Sequence, residues 1–401
     1  KYHQPSYRSY NESTPQLIRM NILFIYDAPL QPEAGGTERA TSLVMNELSG
    51  RGHNCYGILH FDQQKPEIQY INSTKLDSIY DYLKSNNIDV VVNQIAFHPR
   101  FLSQFLEYGG QQWKEEGGKI ISFMHLDPTP EPRKKLKTYF TDWSQRSVMG
   151  KIKRLVYVLS LPYFYYKFDK QYKSGLRYLY DKSDRYVLMS KSFHPIFSKL
   201  ANLSDSSKVA FIPNMLTFPE VATEGILEKK DNIILVVARL DDAQKNISFI
   251  IDAWSKVKDH RGYTLHILGD GQEREMLHKC AEGVNDIVFE GSQTPLKWYR
   301  KAKIFLMASP REGWGLTITE SLQNGVVPIV LNTSTVFMDI INDGENGYLP
   351  KTTDEYSSYI ETLICNDALR NRMAISGLQT SARFMPQPIG NLWVIILNEV
   401  K

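Results

Sequence analysis

The sequence is short of cysteine, of long apolar runs and of net charge. Its three cysteines, Cys55, Cys280 and Cys365, are scattered through 401 residues, without the spacing of a metal site. An odd, dispersed set reads as free thiols in a reducing compartment. No stretch approaches the ~20 apolar residues that a membrane-spanning helix needs. The formal net charge is +3, from 47 Lys and Arg against 44 Asp and Glu, too small by itself to signal nucleic acid. No Gly-x-Gly-x-x-Gly fingerprint is present, which disfavours a dinucleotide cofactor and a NAD dehydrogenase. No Asp-x-Asp triplet has a strand-end setting, and Asp241-Asp242 reads as surface, so no metal site and no metal cofactor are expected.

What remains is an ordinary globular composition, 42% hydrophobic and 23% charged, long enough for two or three domains. The first nineteen residues are polar and carry no secretory signal. They read as an expression-derived or disordered leader, with Met20 as a native start. Asn21 to Asp27 is a short apolar run ending in a polar residue, the pattern of a buried parallel strand. A glycine turn at Ala34-Gly35-Gly36-Thr37 follows, and then a helix to about Gly50 with Thr37 as N-cap. Further strands are expected at 89–94, 119–125, 185–189 and 209–212. After an acidic linker, Met215 to Lys230, a second series is expected at 232–238, 263–268, 286–290, 304–307 and 326–330, with helical patterns between. The implied order is an N-terminal domain over 20–215, a second domain over 216–385, and a final helix within 386–401 that crosses back to the first domain. The class is α/β: two Rossmann-like, doubly wound domains facing each other across an interdomain cleft, where ligands bind at the strand carboxyl ends.

The most informative stretch runs from Arg311 to Gly325. Glu312 stands before a helical pattern and Glu320 within it. Eight positions at ~1.5 Å rise separate the carboxylates by roughly 12 Å, a span that suits a nucleotide sugar. One carboxylate would serve the sugar hydroxyls and the other the ribose. The N–H groups of Gly315, Leu316 and Thr317 would face the diphosphate between them, and glycine lets the ligand approach. The competing reading is a capped surface helix with two solvated acids. Arg239 and Lys245 lie just past the first strand of the second domain, where fixed cations would stabilise a departing diphosphate. Otherwise they are two exposed cations on a polar loop.

Between Arg133 and Arg177 lie twelve Lys and Arg against two acids, Asp142 and Asp169, with many aromatic residues among them. This insert suits peripheral contact with an anionic membrane, or else is a long helical pair packed on the domain with its cations solvated. Nucleic acid is the poorer reading, since no recognition module accompanies the charge.

Several short motifs occur in one order: Gly35-Gly36-Thr37-Glu38-Arg39, Pro213-Asn214, Ala238-Arg239-Leu240 with Lys245, Gly269-Asp270-Gly271, Glu312 to Glu320, Gly325-Val-Val-Pro328 and Asp343-Gly-Glu-Asn-Gly347. In this order the chain resembles the retaining glycosyltransferases of family 4, of GT-B fold, over most of 20–400. The resemblance implies transfer of a hexose-type sugar from a nucleotide diphosphate donor to a saccharide or lipid-linked saccharide. A uridine diphosphate sugar is the first expectation and guanosine diphosphate the second. It implies that Arg239 and Lys245 hold the leaving diphosphate, that Glu312 holds sugar hydroxyls, and that Glu320 holds the ribose. Gly313 and Gly315 keep side chains away from the sugar, and Trp314 either packs or touches the ligand. Gly35 and Gly36 would let the first loop reach the donor phosphates, or else form a tight structural turn. His125, at a strand end, would donate to a sugar hydroxyl or phosphate, with a core histidine as the alternative. His98 is a weaker candidate.

No carboxylate pair has nucleophile spacing, so front-face substitution without a covalent sugar–enzyme adduct is expected. Two features depart from the family: Asn332 to Asp339 lacks glycine, and Ser321 follows the second glutamate where alanine is common. A sugar-nucleotide epimerase and a non-catalytic sugar-nucleotide-binding partner of the same fold stay open. The expected location is the cytoplasm, up to the inner face of its membrane.

Overall fold

The computed structural model describes residues 18–27, 30–31, 35–59, 70–71, 74–75, 78–130 and 147–401. Most of the expected leader and the first part of the basic insert lie outside these residues. Two sheets organise the chain. The first holds β1 (Asn21–Tyr26), β2 (Asn54–Leu59), β3 (Tyr70–Ile71), β4 (Thr74–Lys75), β5 (Val90–Asn93), β6 (Lys119–Met124), β7 (Arg185–Leu188) and β8 (Val209–Phe211). Their spatial order is β4-β3-β2-β1-β5-β6-β7-β8. All pairs are parallel except β2 with β3 and β3 with β4. The second sheet holds β9 (Ile233–Val237), β10 (Thr264–Leu268), β11 (Ile287–Gly291), β12 (Ile304–Met307) and β13 (Val327–Val330). It is wholly parallel, in the order β11-β10-β9-β12-β13.

The apolar runs explain the strands. Val90–Asn93, Ile304–Met307 and Val327–Val330 are buried along their whole length, as expected when helices cover both sheet faces. Each sheet reverses its winding once, between β1 and β5 in the first and between β9 and β12 in the second. These reversals open crevices at the strand carboxyl ends, where such sheets bind ligands.

β2 was not among the expected strands. Its Asn-Cys-Tyr-Gly start carries a glycine that only a neighbour explains: a Cβ on Gly57 would lie 2.5 Å from the Tyr26 hydroxyl. The expected N-cap also shifts. Gly35 holds that position in extended backbone and the helix starts at Gly36, which puts Thr37 inside the first turn.

The segment between the domains is pinned rather than loose. Leu216 N donates to Phe384 O at 2.8 Å, Ala222 N donates to Gln323 O at 2.9 Å, and Lys230 is buried. The last helix, Pro386–Val400, packs on the first domain. Arg51 donates to Asn391 Oδ1 at 2.7 Å and to Gln387 O at 2.8 Å. Trp393 meets Phe123 edge to face with ring centres 5.6 Å apart.

The described part of the basic insert is one helix, Val148–Lys182, capped by Ser147, which accepts from Gly150 N. A helical pair was one expectation for this insert; among the described residues there is a single element, about 52 Å long at 1.5 Å per residue.

Candidate active site

The carboxyl end of β9 runs into Arg239 and then a single helical turn, Asp242–Lys245, which Asp241 caps by accepting from Gln244 N at 3.1 Å. Asp242 accepts from the amide and hydroxyl of Ser248, at 2.7 and 2.6 Å. Both carboxylates therefore brace the loop. Two glycines let the neighbouring turn press against it. Gly269 has φ 137°, and a Cβ there would lie 1.8 Å from Ala238 O; one on Gly271 would lie 2.4 Å from Leu240 O. The Gly269-Asp270-Gly271 motif thus fixes the backbone that carries Arg239.

The bracing directs Lys245 at Glu312, with Nζ 2.6 Å from Oε1. Arg239 stays 61% exposed and donates to Gln244 Oε1 at 2.6 Å. The cleft therefore offers one paired and one solvent-facing cation.

Gly315 sits in the left-handed region at φ 87° and starts the helix Leu316–Gln323. The first turn of any helix leaves amide hydrogens without internal partners, and the dipole there favours negative charge. Gly36 of the first domain approaches this start, since a Cβ on it would lie 3.7 Å from Leu316 Cδ1. The structure thus brings Gly36 beside Leu316. Gly313 is closer still to the opposite wall: a Cβ would lie 2.0 Å from His125 O and 2.7 Å from Met189 Cε. Trp314 turns away from this meeting and is buried edge to face on Phe384, with ring centres 5.3 Å apart.

Glu320 is 1% exposed. Tyr299 donates its hydroxyl to Oε2 at 3.0 Å, and Arg39, from the first domain, donates to Oε1 at 2.9 Å. Burial raises the carboxyl above its usual range, and the Arg39 charge opposes that rise. The Thr217 side chain also favours the ionised form, which leaves one of the four acceptor positions of a carboxylate for a ribose hydroxyl. Behind Tyr299, buried Lys230 donates to the carbonyls of Tyr299 and Ala302 at 2.9 and 2.7 Å.

His125 ends β6, packs on Phe123, and is hydrogen-bonded through Nε2 to Gln94 Oε1 at the end of β5. A carbonyl oxygen only accepts, so in the amide orientation shown Nε2 carries the proton and Nδ1 is left as an acceptor. Burial lowers the ring's pKa to about 3, which keeps it neutral. An acceptor suits a sugar hydroxyl and not a phosphate oxygen. His125 Nδ1, Gln94 Nε2, Ser309 Oγ, Arg311 Nε, Trp314 Nε1 and Thr335 Oγ1 are buried without partners among the described residues. Buried polar atoms are normally satisfied, and most of these belong to the walls of one cleft. His98 serves elsewhere, as its Nδ1 accepts from Arg100 N and caps the helix Pro99–Phe105.

Further contacts hold the walls together. Arg311 donates to Asp127 O, Ser334 donates to Asp127 Oδ2, and Ser190 donates to Asp339. The Asp343–Gly347 motif is structural. Buried Asn346 accepts from Asn342 N at 2.8 Å, and a Cβ on Gly347 would come within 2.8 Å of Pro328. Gln94, Tyr299, Arg311 and Asp127 were not named as site residues from sequence. Only Gln94 carries a local signal, as the residue that ends a strand beside a winding reversal. Among the described residues no group of three His, Cys, Asp or Glu is placed to hold a metal ion.

Two doubly wound domains that face each other across a cleft make up the GT-B fold. Solved structures share it. Anabaena HepE, in complex with UDP and glucose, superposes with a TM-score of 0.66 at 13% identity, covering 95% of this chain and all of that one (100%). The lipopolysaccharide outer core galactosyltransferase WaaB superposes with a TM-score of 0.65 at 16% identity, over 95% and 99% of the two chains. Residues 219–379, most of the second domain, match the family described as glycosyl transferases group 1. Among curated relatives, the amylovoran biosynthesis glycosyltransferase AmsD of Erwinia amylovora is 30% identical over 182 residues, 44% of this chain and 50% of that protein. The lipopolysaccharide core biosynthesis glycosyltransferase LpsE of Rhizobium meliloti is 34% identical over 143 residues, 34% of this chain and 41% of that protein. The matched region thus spans half or less of the length of these relatives.

Proposed function

We propose that the protein is a retaining, metal-independent glycosyltransferase. It would move a hexose-type sugar from a nucleotide diphosphate donor to a saccharide or lipid-linked saccharide acceptor, in the making of a cell-surface polysaccharide or glycolipid on the cytoplasmic side of a membrane. One observation carries this reading. Glu312, paired with Lys245 at 2.6 Å, and buried Glu320 stand on the two sides of Gly315, and the same unit touches His125 across the cleft. In this reading Glu320 accepts from a ribose hydroxyl, and the amides after Gly315 face the diphosphate together with Arg239 and Lys245. Glu312 and the His125 Nδ1 accept from sugar hydroxyls.

The bond between the anomeric carbon and the leaving phosphate oxygen breaks as negative charge grows on the diphosphate. Fixed cations and amide dipoles favour that charge more in the transition state than in the ground state. The acceptor oxygen bonds to the same face of the anomeric carbon, and its proton passes to the leaving phosphate oxygen. The configuration is kept without a covalent sugar–enzyme adduct.

UDP in the HepE structure supports a uridine diphosphate sugar as the first donor to test. The names of AmsD and LpsE support a polysaccharide or lipopolysaccharide acceptor. The test is a thermal-shift screen of nucleoside diphosphates and their sugars, since a ligand of the folded state raises the melting temperature. It is followed by NMR of the product's anomeric proton with and without EDTA. One nucleotide stabilising the protein, a product of unchanged anomeric configuration and indifference to EDTA are expected. An inverted product, a trapped sugar–enzyme adduct or loss of transfer in EDTA restored by a divalent ion would each refute the corresponding part. Donor breakdown with no acceptor requirement would favour the epimerase.

A further inference from the structure

The helix Val148–Lys182 carries an apolar stripe that the fold does not cover. Val148, Ile152, Leu155, Leu159, Tyr163 and Tyr166 are 75%, 50%, 44%, 77%, 64% and 65% exposed. At about 100° per residue they fall within an arc of roughly 80°. Leu176, Leu179 and Tyr180, the residues of this helix that enter the hydrophobic core, fall outside that arc. Apolar patches of this extent mark interaction surfaces.

Charge selects the partner. Across 148–171 the cations are Lys151, Lys153, Arg154, Lys167 and Lys170, against Asp169 alone. Lys167 borders the stripe, and Lys170 continues its line. A second copy laid on this face would set cations against cations. An anionic bilayer surface complements both features: aliphatic side chains enter the acyl boundary, tyrosines sit at headgroup level, and lysines meet lipid phosphates. No described helix is long and apolar enough to cross a membrane, so the contact would be peripheral.

The helix also connects to the cleft. Its Tyr172 hydroxyl donates to Pro128 O at 2.8 Å, three residues past His125. Gly175 lies against Pro99, where a Cβ would be 3.0 Å from the ring. The core-packed end thus lies beside the cleft wall, and the stripe occupies the other end of the helix.

We infer that the outward face of residues 148–170 is a docking surface for anionic phospholipid, which seats the cleft of the first domain against the membrane. The docking itself does not require the enzymatic reading. Only its use, bringing a lipid-linked acceptor to the site, rests on it.

The test is co-sedimentation of the full chain with vesicles of phosphatidylcholine alone or with phosphatidylglycerol, at low and high salt. Binding to the anionic vesicles, weakened by salt, is expected. Ile152→Glu/Leu159→Glu should weaken it by at least about tenfold, and Lys167→Glu/Lys170→Glu by a similar factor, since each membrane-facing cation contributes about fivefold. These positions are exposed, so nucleotide-induced thermal shifts should be unchanged in both variants. That separates failure of docking from failure of the donor site. No binding of the wild type to anionic vesicles, or equal binding by the Ile152/Leu159 variant, would overturn the inference. So would a dimer in solution that the same variant splits without any vesicle binding, since a second copy would then cover the stripe.

Discussion

Arg39 of the first domain donates to Glu320 of the second at 2.9 Å, across 281 residues of sequence, and Glu320 is 1% exposed. The pair ties the first helix of one domain to the glycine-led helix of the other. Its charge also opposes the rise in the Glu320 pKa that burial causes.

Arg39→Ala removes that support. Stability should fall by about 1–3 kcal/mol, less than for a fully buried pair because Arg39 is itself partly exposed. The loss should depend on pH. Burial already raises the folded pKa of Glu320, so the folded state holds the proton more tightly than the unfolded one. Stability from this group is fullest below the unfolded carboxylate pKa and declines as pH rises through the folded value. Without Arg39 the folded pKa rises further and the decline is larger. The melting-temperature gap between wild type and Arg39→Ala should therefore be wider at pH 7.5 than at pH 4.5. An equal gap at both would show that Glu320 is not ionised against Arg39. Arg39→Lys should recover part of the stability.

Arg239 and Lys245 separate by what else they touch. Arg239 is mostly exposed and bonded only to its own loop, so Arg239→Ala should leave stability within about 0.5 kcal/mol. If the residue meets the leaving diphosphate, turnover should fall by about 100-fold, the usual cost of one stabilising group. Lys245→Ala should cost a similar factor and also free Glu312. Its KM for donor should rise with the fall in kcat. Steady-state kinetics with a matched melting curve checks both. Full turnover in both variants would move the leaving-group site elsewhere.

Much of the architecture is legible in the sequence because it is local. The apolar runs at Ile304–Met307 and Val327–Val330 have no other way to be buried than as strands covered on both faces. The glycines at 313 and 315 announce a close backbone approach. Contacts that depend on how two domains meet are not legible in this way. Arg39 reads equally well as a solvated helix residue until Glu320 is placed opposite it. Tyr299 lies in Leu296–Lys301, a stretch with nothing to distinguish its tyrosine from a core residue. Trp314 was open between packing and ligand contact; its burial on Phe384, 70 residues later, depends on the return path of the chain. His125 was expected to donate. Its bond to Gln94 depends on how two neighbouring strands place their ends.

Lys230 is a second pH-sensitive support. Burial, with the nearby Lys303 charge, lowers its pKa to about 7. Above that value the folded state holds a neutral amine, while the unfolded chain stays protonated to about 10.4. The unfolded state then binds more protons, so this group's contribution to stability rises with pH between about 7 and 10 and is flat below. Lys230→Met keeps the volume and removes the titration. The difference between wild type and variant should shift in favour of the wild type from pH 7 to pH 9.5 in urea titrations. A constant difference would place the lysine in contact with water. Because Lys230 holds the carbonyls beside Tyr299, the variant should also bind nucleotide more weakly.

Gly313 decides how closely the domains approach. A Cβ there would meet His125 O at 2.0 Å and Met189 Cε at 2.7 Å. Its φ is not in the left-handed region, so alanine brings no backbone strain, and each domain should fold as before. The clash falls only on the contact between them. Gly313→Ala should therefore lower the melting temperature by no more than Arg39→Ala does, since parting the domains also parts the Arg39–Glu320 pair, and should keep nucleotide affinity within a few-fold, because Glu320 and the amides after Gly315 lie within the second domain. Transfer should fall by at least about tenfold, since His125 and the acceptor side no longer reach the donor; a displacement of 1 Å can cost about 100-fold. Small-angle scattering with nucleotide bound should show a larger radius of gyration than the wild type. If transfer and scattering both match the wild type, the contact between Gly313 and His125 is not part of the working state. If nucleotide affinity collapses with transfer, the first domain contributes to donor binding directly, through Gly35 and Gly36.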